Sequence, residues 1–505
     1  MAKNNKTLYR LVIALAVLIY FVTAWNSHGF YHADEHFQIV EFADAKLGKS
    51  PVSELPWEYA AGLRPTIQPT IALSVFKIAD WVGFSDPYGQ GTLLRFLTVI
   101  LAFISILYFI KTVFQNGIIR NQILFVFCSL LLFCLPFLNV RFSSETWAGL
   151  LFLYPIAQML RKDSESINPF LIGVFLGLSF LFRYQVGFMI FGFILWMVSI
   201  KKTELAILFK IGLSFLGIFL IGVLIDSWFY NEFTISAWNY FKVNLLDDVA
   251  STFGVEPWHY YLVETTKVFG TLLGIFLIAI LGSFFLLFRK HLLTWVLIPF
   301  LLIHFFIPHK EYRFLFPIVN LIPLLVFLLV EKYISWYKIK NFHGIKPVLY
   351  GILSLAVGIN LLFAFALSNE SVGIGRTEMS FFIHSTYSNQ SVNLVNTKWA
   401  SPYKPWGALI NHYSDTNVNN IEIENPALLN NELYQDGKLN FLILRDIDLQ
   451  NNPDGKAALI NHQAHIIKES FNPLTKTLGQ IFGVFELQEN LILYTFEKQD
   501  STKIR

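Results

Sequence analysis

The sequence predicts a polytopic α-helical membrane protein of about eleven spans, followed by a small soluble α/β domain. Three observations carry this. Of 505 residues, 54% are hydrophobic and only 14% charged, against roughly 25% charged in soluble domains. Apolar runs of spanning length recur as far as residue 367, and Lys and Arg sort into alternate loops. From about Asn369, Asn, Asp, Glu and Ser become frequent and short apolar runs replace long ones. The formal net charge of +3 is too small to imply nucleic acid. Cys128 and Cys134 share one apolar run, so neither a disulfide framework nor a zinc site is expected.

Taken in order, spans are expected near 8 to 26, 92 to 110, 122 to 139, 145 to 160, 206 to 229, 267 to 288, 292 to 307, 314 to 331 and 347 to 367. The first, preceded by Lys3, Lys6 and Arg10, reads as a retained anchor, with a signal peptide cleaved near Ala24 as the other option. The stretch from Phe170 to Ile200 is too long for one ordinary span, and Arg183 interrupts it. An arginine at mid-bilayer costs at least about 2.5 to 3.5 kcal/mol, so two short helices folding back at Arg183 are expected. With a cytoplasmic N-terminus, that reversal puts Lys111, Arg120, Arg161, Lys162, Lys201, Lys202, Arg289, Lys290, Lys332, Lys338, Lys340 and Lys346 inside. The C-terminus is then outside.

Two long outer loops follow, at 27 to 91 and 230 to 266. Phe37, Val40 and Leu47, and then Ile71, Val75 and Ile78, form apolar stripes suited to adhering to a membrane surface. In the tail, residues 439 to 444 and 491 to 496 read as strands. The expected division is a membrane domain over 1 to 368 and a soluble extracytoplasmic domain over 369 to 505.

Two polar clusters stand out. Tyr31-His32-Ala33-Asp34-Glu35-His36-Phe37-Gln38 sets two adjacent carboxylates between histidines just past the first span. Asp34 there either caps a helix from Glu35 to Leu47 or acts as a proton acceptor. Pro308-His309-Lys310-Glu311-Tyr312-Arg313-Phe314 packs four ionisable groups between two spans. It is either a snorkelling boundary turn or the lining of a polar cavity, where Lys310 and Arg313 grip a phosphate. Glu145 and Asp226 fall at span ends and read as capping or packing residues at least as readily as catalytic ones. Asp247-Asp248 reads as a solvated turn, with no metal site expected.

These motifs resemble those of the family 22 glycosyltransferases, the mannosyltransferases of GPI-anchor and dolichol-linked oligosaccharide assembly. The opening His32-Ala33-Asp34-Glu35 resembles that family's His-Pro-Asp-Glu, and His309 to Phe314 resembles its His-Lys-Glu-Glu-Arg-Phe. Gly62-Leu63-Arg64-Pro65, Ser143-Ser144-Glu145-Thr146, Asp226 to Tyr230, Trp238 to Asn244 and Phe253 to Tyr261 match further segments in order. His384-Ser385-Thr386 in the tail matches a shorter one. Ala33 and Tyr312 depart from the pattern, at a proline and a glutamate respectively.

The resemblance implies a GT-C-type enzyme that moves mannose, with inversion, from a polyprenyl-phosphate donor to a hydroxyl of a glycolipid or lipid-linked glycan, without a cofactor. For that reaction Asp34 is the candidate general base, with Glu35 as second candidate or orienting partner, and Arg64, Arg183, Lys310 and Arg313 are candidates for stabilising the departing phosphate. His32, His36, His259, His309 and Glu311 are candidates for the acceptor pocket, and Arg183 is equally a candidate hairpin residue. The competing class is a lipid-carrier flippase without bond chemistry, which predicts charges deep in several spans and duplicated halves. Richness in Phe, Ile, Lys and Asn leans toward a bacterial plasma membrane, with the endoplasmic reticulum as the other host, and the site is expected on the extracytoplasmic face.

Overall fold

The structure is a computed structural model that describes residues 3–162, 167–337, 346–372, 375–450, 452–483 and 487–499. Lys338 and Lys340 of the expected inner loops lie outside these residues. The chain forms two compact units. The first comprises Met1–Phe21, Glu58–Thr70 and Arg95–Phe365, and the second Val22–Trp57, Ile71–Leu94 and Ala366–Arg505. The first long loop is thus shared between them.

Among the described residues, five helices are long and apolar enough to cross a bilayer: Lys6–Asn26, Pro87–Gln115, Leu205–Tyr230, Tyr312–Tyr333 and Tyr350–Ser368. Five shorter apolar helices accompany them. Several expected spans are broken, each for a local reason. The run from 122 splits into Gln122–Leu131 and Cys134–Asn139. Pro136 has no N–H for the carbonyl four residues back, and its ring crowds that carbonyl. Asn360 serves the break, donating Nδ2 to Leu131 O at 2.6 Å and accepting Phe133 N at 2.9 Å. The span from 314 begins as tight 3-10 turns over Tyr312–Leu321, which contain Pro317, and only then becomes the α-helix Ile322–Tyr337. The span from 267 is two helices, Tyr260–Val268 and Thr271–Leu287, parted at Gly270 with φ 78°.

Arg183 ends the helix Pro169–Phe182, and one short turn later Gly187–Ser199 begins. Side-chain register shows what the chain does there. Gly173 lies against Ile211 and Ser214, Gly177 against Phe215 and Ile218, and Leu181 against Gly222. Pro169–Phe182 and Leu205–Tyr230 therefore run parallel, so the intervening helix must run back between them. The reversal expected from the cost of a mid-bilayer arginine is present. On its other side Pro169–Phe182 runs antiparallel to Ser144–Leu160, with Ser179 Oγ donating to Ala148 O at 2.7 Å and Phe175 stacked on Tyr154 at 4.3 Å.

The second unit contains a five-stranded sheet in the order β2-β1-β3-β5-β4. Here β1 is Val392–Thr397, β2 Val418–Ile423, β3 Leu439–Arg445, β4 His465–Glu469 and β5 Leu491–Thr495. Strands β2, β1 and β3 are parallel, while β5 is antiparallel to β3 and β4. The period-two alternation of a strand divides its side chains between two cores. Phe441, Ile443, Leu491 and Leu493 enter one with Met379 and Ile383, while Leu442, Leu444, Ile492 and Tyr494 enter the other with Ala458.

The helix expected from Glu35 to Leu47 runs from Ala33 through a π-helical stretch, His36–Val40, to Glu41–Leu47, and stops at Gly48 with φ 76°. Its cap corrects the sequence reading. His32, and not Asp34, is the N-cap, with Nδ1 accepting from Asp34 N at 3.3 Å. The apolar stripe is also corrected: Phe37 and Val40 are buried, and Phe37 packs with Phe30, Tyr88, Ile410 and Tyr413 of the same unit. A protein core satisfies an amphipathic face as well as a lipid surface does.

Candidate functional site

In the first unit, three segments bring their charges together. Ser143 caps the helix Ser144–Leu160, accepting from Thr146 N, which leaves the neighbouring Glu145 carboxylate for other partners. Arg183 arrives from the reversal and Arg313 from the 3-10 turns. Arg313 Nη1 is 2.9 Å and Arg183 Nη1 3.2 Å from the same Glu145 Oε1, and all three side chains are almost fully buried. Glu311 takes the rest of the Arg313 fork, with Oε2 at 2.6 Å from Nε and Oε1 at 3.2 Å from Nη2. Both guanidinium groups lie over Phe314, at 5.0 and 5.2 Å from its ring centre.

His309 completes the cluster. Its Nε2 is 3.0 Å from Glu311 Oε1 and its Nδ1 3.1 Å from Gly254 O. Both partners only accept, so both ring nitrogens carry hydrogen when the contacts are made. The hydrogen bond to Glu311, outweighing partial burial, raises the His309 pKa above 6.5.

Lys310 does something other than expected. Its ammonium donates to Ile307 O at 2.6 Å, Glu256 O at 2.8 Å and Pro308 O at 3.4 Å. Three N–H bonds are all an ammonium has, so Lys310 ties the second long loop to the turn before the 3-10 segment instead of presenting a cation to phosphate. Burial lowers its pKa.

Arg64 stands in a second cluster of this unit. Its Nη2 is 3.6 Å from Glu58 Oε1, and its guanidinium lies 5.7 Å from the Tyr240 ring centre. Asp226 fixes the loop that carries Arg64, accepting from Thr66 N and Thr66 Oγ1 at 2.7 Å each and from Ser236 Oγ. Tyr240 also accepts from Gln185 Nε2, so the Arg64 loop and the Arg183 turn share one aromatic neighbour. His259 is exposed, its ring edge-on to Trp258 at 5.5 Å.

The remaining candidates belong to the second unit. Tyr31 N donates to Glu35 Oε2 at 3.0 Å, and His32 Nδ1 is 3.7 Å from Asp34 Oδ1. His36 is buried, with Nε2 2.8 Å from Glu41 Oε1 and its ring stacked between Phe30 and Tyr413. That enclosure makes it a core residue and not the pocket group expected. Glu41 also accepts from His412 N at 3.0 Å and Ser50 Oγ at 3.1 Å, and His412 Nδ1 meets Asp44 Oδ2 at 2.7 Å. Burial pushes the Glu41 pKa up, but the hydrogen bonds and charges of His36 and His412 outweigh it and leave the pKa below 4.5.

The model of the Alg9-like mannosyltransferase family matches residues 10–404. The chain belongs to the Alg9-like mannosyltransferase family. Among curated members it is 24% identical over 320 residues to the GPI alpha-1,2-mannosyltransferase 3 of Bos taurus, covering 62% of this chain and 57% of that one. It is 34% identical over 143 residues to the alpha-1,2-mannosyltransferase ALG9 of Saccharomyces cerevisiae, covering 27% and 23%. The chain therefore spans little more than half the length of the first relative. These relatives are eukaryotic and lend no support to the lean toward a bacterial plasma membrane. Among solved structures, ArnT from Cupriavidus metallidurans bound to undecaprenyl phosphate aligns over 98% of both chains with TM-score 0.52 at 10% identity. This Alg9-like chain has the GT-C fold, with a small C-terminal sheet domain.

Sequence reasoning undervalued Glu145, because a glutamate in the first turn of a helix looks like a dipole partner and its arginines lie far away in sequence. It passed over His304 altogether. A lone histidine inside an apolar run was the available signal there.

Proposed function

We propose that this membrane protein transfers mannose from a polyprenyl-phosphate carrier to a hydroxyl of a glycolipid or lipid-linked glycan, with inversion at the anomeric carbon. The acceptor oxygen attacks that carbon, the bond to the phosphate oxygen breaks, and the phosphate leaves with the electron pair. The hydroxyl proton passes to a carboxylate, for which Asp34 is the candidate and Glu35 the second choice.

The observation that carries this reading is the convergence of Arg183 and Arg313 on Glu145 inside an apolar helical unit. Glu145 is shared by both guanidinium groups and Glu311 pairs with Arg313, so the unengaged N–H bonds of Arg183 are where a phosphate could add its negative charge. The two differ in how fully they are engaged. Arg313 gives Nη1, Nη2 and Nε to Glu145 and Glu311, whereas Arg183 meets Glu145 and the Ser144 hydroxyl through Nη1 alone among the described residues. A guanidinium has five N–H bonds, so Arg183 is assigned to the phosphate, Arg313 and Glu145 to its orientation, and Arg64 to a second contact. Support also comes from the names of the relatives, which describe mannosyltransferases, and from the GT-C neighbour that binds undecaprenyl phosphate. A flippase reading leaves these likenesses unexplained. The host is a membrane whose outer or lumenal face displays the lipid-phosphate sugar.

The test offers purified protein radiolabelled polyprenyl-phosphate-mannose or GDP-mannose, with total host lipid as acceptor. Transfer from the lipid donor is expected. Transfer from the nucleotide sugar alone overturns the donor assignment.

A further inference from the structure

His304 occupies the last turn of the helix Leu292–Phe306 and is 2% exposed. Its Nδ1 lies 2.6 Å from Phe300 O. A carbonyl can only accept, so Nδ1 carries the hydrogen, and in the neutral ring Nε2 is a bare acceptor. That Nε2 is buried and meets no hydrogen-bond partner among the described residues. Buried polar atoms are seldom left so, and each exception calls for an explanation.

The surroundings supply one. The His304 ring is 6.2 Å from Phe314, the residue over which Arg183 and Arg313 both lie, and 6.3 Å from Tyr261. The acceptor therefore stands beside the same aromatic ring as the two guanidinium groups. A phosphodiester oxygen carries no hydrogen and cannot satisfy it. The group that can must be a donor, and the part of a polyprenyl-phosphate sugar that offers donors is the sugar, through its hydroxyls.

We propose that His304 binds the donor sugar, its Nε2 accepting a hydrogen bond from one mannose hydroxyl while Arg183 holds the adjoining phosphate. The assignment rests on the donor reading given above. It makes His304 a selectivity residue, because a buried acceptor left empty by a deoxy sugar penalises that sugar.

The experiment measures kcat/KM for a short-chain polyprenyl-phosphate-mannose and its 2-, 3-, 4- and 6-deoxy analogues. Wild type is expected to disfavour one analogue by about ten- to a hundredfold. His304→Asn keeps a donor near Nδ1 for Phe300 O but has nothing at the place of Nε2, so it should treat that analogue and mannose alike. His304→Gln puts a side-chain oxygen near that place and should restore part of the discrimination. Wild type that treats all five sugars alike overturns the proposal without recourse to any variant. So does His304→Asn that slows every donor by one common factor with wild-type discrimination intact, which is the mark of a packing residue. Wild type that uses GDP-mannose and none of the lipid donors instead overturns the donor reading, and this assignment with it.

Discussion

Arg183 and Arg313 direct Nη1 at a single oxygen of Glu145, at 3.2 and 2.9 Å, with little solvent around any of the three. Two buried cations stand beside each other with that carboxylate between them, and Glu311 offsets Arg313 a second time. Removing one member of a buried ion pair costs about 3–5 kcal/mol, since the remaining charge keeps its desolvation penalty without its partner. Glu145→Gln should therefore lower the thermal midpoint in detergent by several degrees and abolish most turnover. Adding Arg183→Gln should return part of the lost stability, because Glu145 is the carboxylate Arg183 meets, whereas Arg313 keeps Glu311. A coupling on the order of 0.5–3 kcal/mol in that double-mutant cycle is expected, and strictly additive losses would show that Glu145 does not bridge the arginines.

Lys310 and Arg183 are both candidate phosphate ligands in the sequence, and their hydrogen-bond partners differ. Lys310→Met should cost about 1–3 kcal/mol through the Ile307 and Glu256 carbonyls that lose its ammonium, while Pro308 O keeps Glu256 N. Its dissociation constant for a polyprenyl phosphate should stay within a few-fold of wild type. Arg183→Gln should weaken that same binding by roughly tenfold or more, as expected for loss of a charge-assisted contact worth about 1.5–3 kcal/mol. Both variants can be read by titrating a fluorescent polyprenyl phosphate. The opposite ranking would return the phosphate to Lys310.

His309 gives a pH signature. Its pKa is raised in the fold, chiefly by the hydrogen bond to Glu311, so the imidazolium is bound more tightly in the native than in the unfolded chain. The resulting stability is fully present below the unfolded value near 6.5 and is lost as pH rises through the higher native value. The difference in thermal midpoint between wild type and His309→Gln should thus be largest near pH 5.5 and shrink as pH increases above 6.5. A difference that grows with pH would mean that His309 sits neutral between Glu311 and Gly254.

How much of this could be read in advance depended on whether the deciding partner was local. The reversal at Arg183 was legible because a charge at mid-bilayer is expensive whatever surrounds it. Strands β3 and β5 were legible from short apolar runs bounded by polar residues. The stripe of Phe37 and Val40 was legible as a buried face, but the pattern is the same whether lipid or protein covers it, and here Phe30, Tyr88 and Tyr413 do so in part. Lys310 was visible as a cation, while the carbonyls that occupy it come partly from the second loop. Glu145 gained its meaning only when two distant arginines reached it. The ordered motifs carried the family and the GT-C fold more securely than they carried the role of any one side chain.

The last prediction concerns Asp34, whose two readings the cap geometry now separates. The helix start is capped by His32 Nδ1 accepting from the Asp34 backbone N–H, an interaction that an amide side chain leaves in place. One Asp34 oxygen also lies 3.7 Å from that His32 nitrogen, both side chains partly exposed, and exposed charge contacts of this kind are worth about 0–1 kcal/mol. Asp34→Asn should therefore melt within a few degrees of wild type. If the carboxylate accepts the proton of the attacking hydroxyl, turnover should nevertheless fall by about 10² to 10⁴-fold, with donor binding little changed. Glu35→Gln, which keeps an oxygen for Tyr31 N, should lose only a few-fold. A well-folded Asp34→Asn that turns over within a few-fold of wild type would move the base elsewhere, and because the cap is untouched in both proteins, that outcome could not be ascribed to compensation at the helix start.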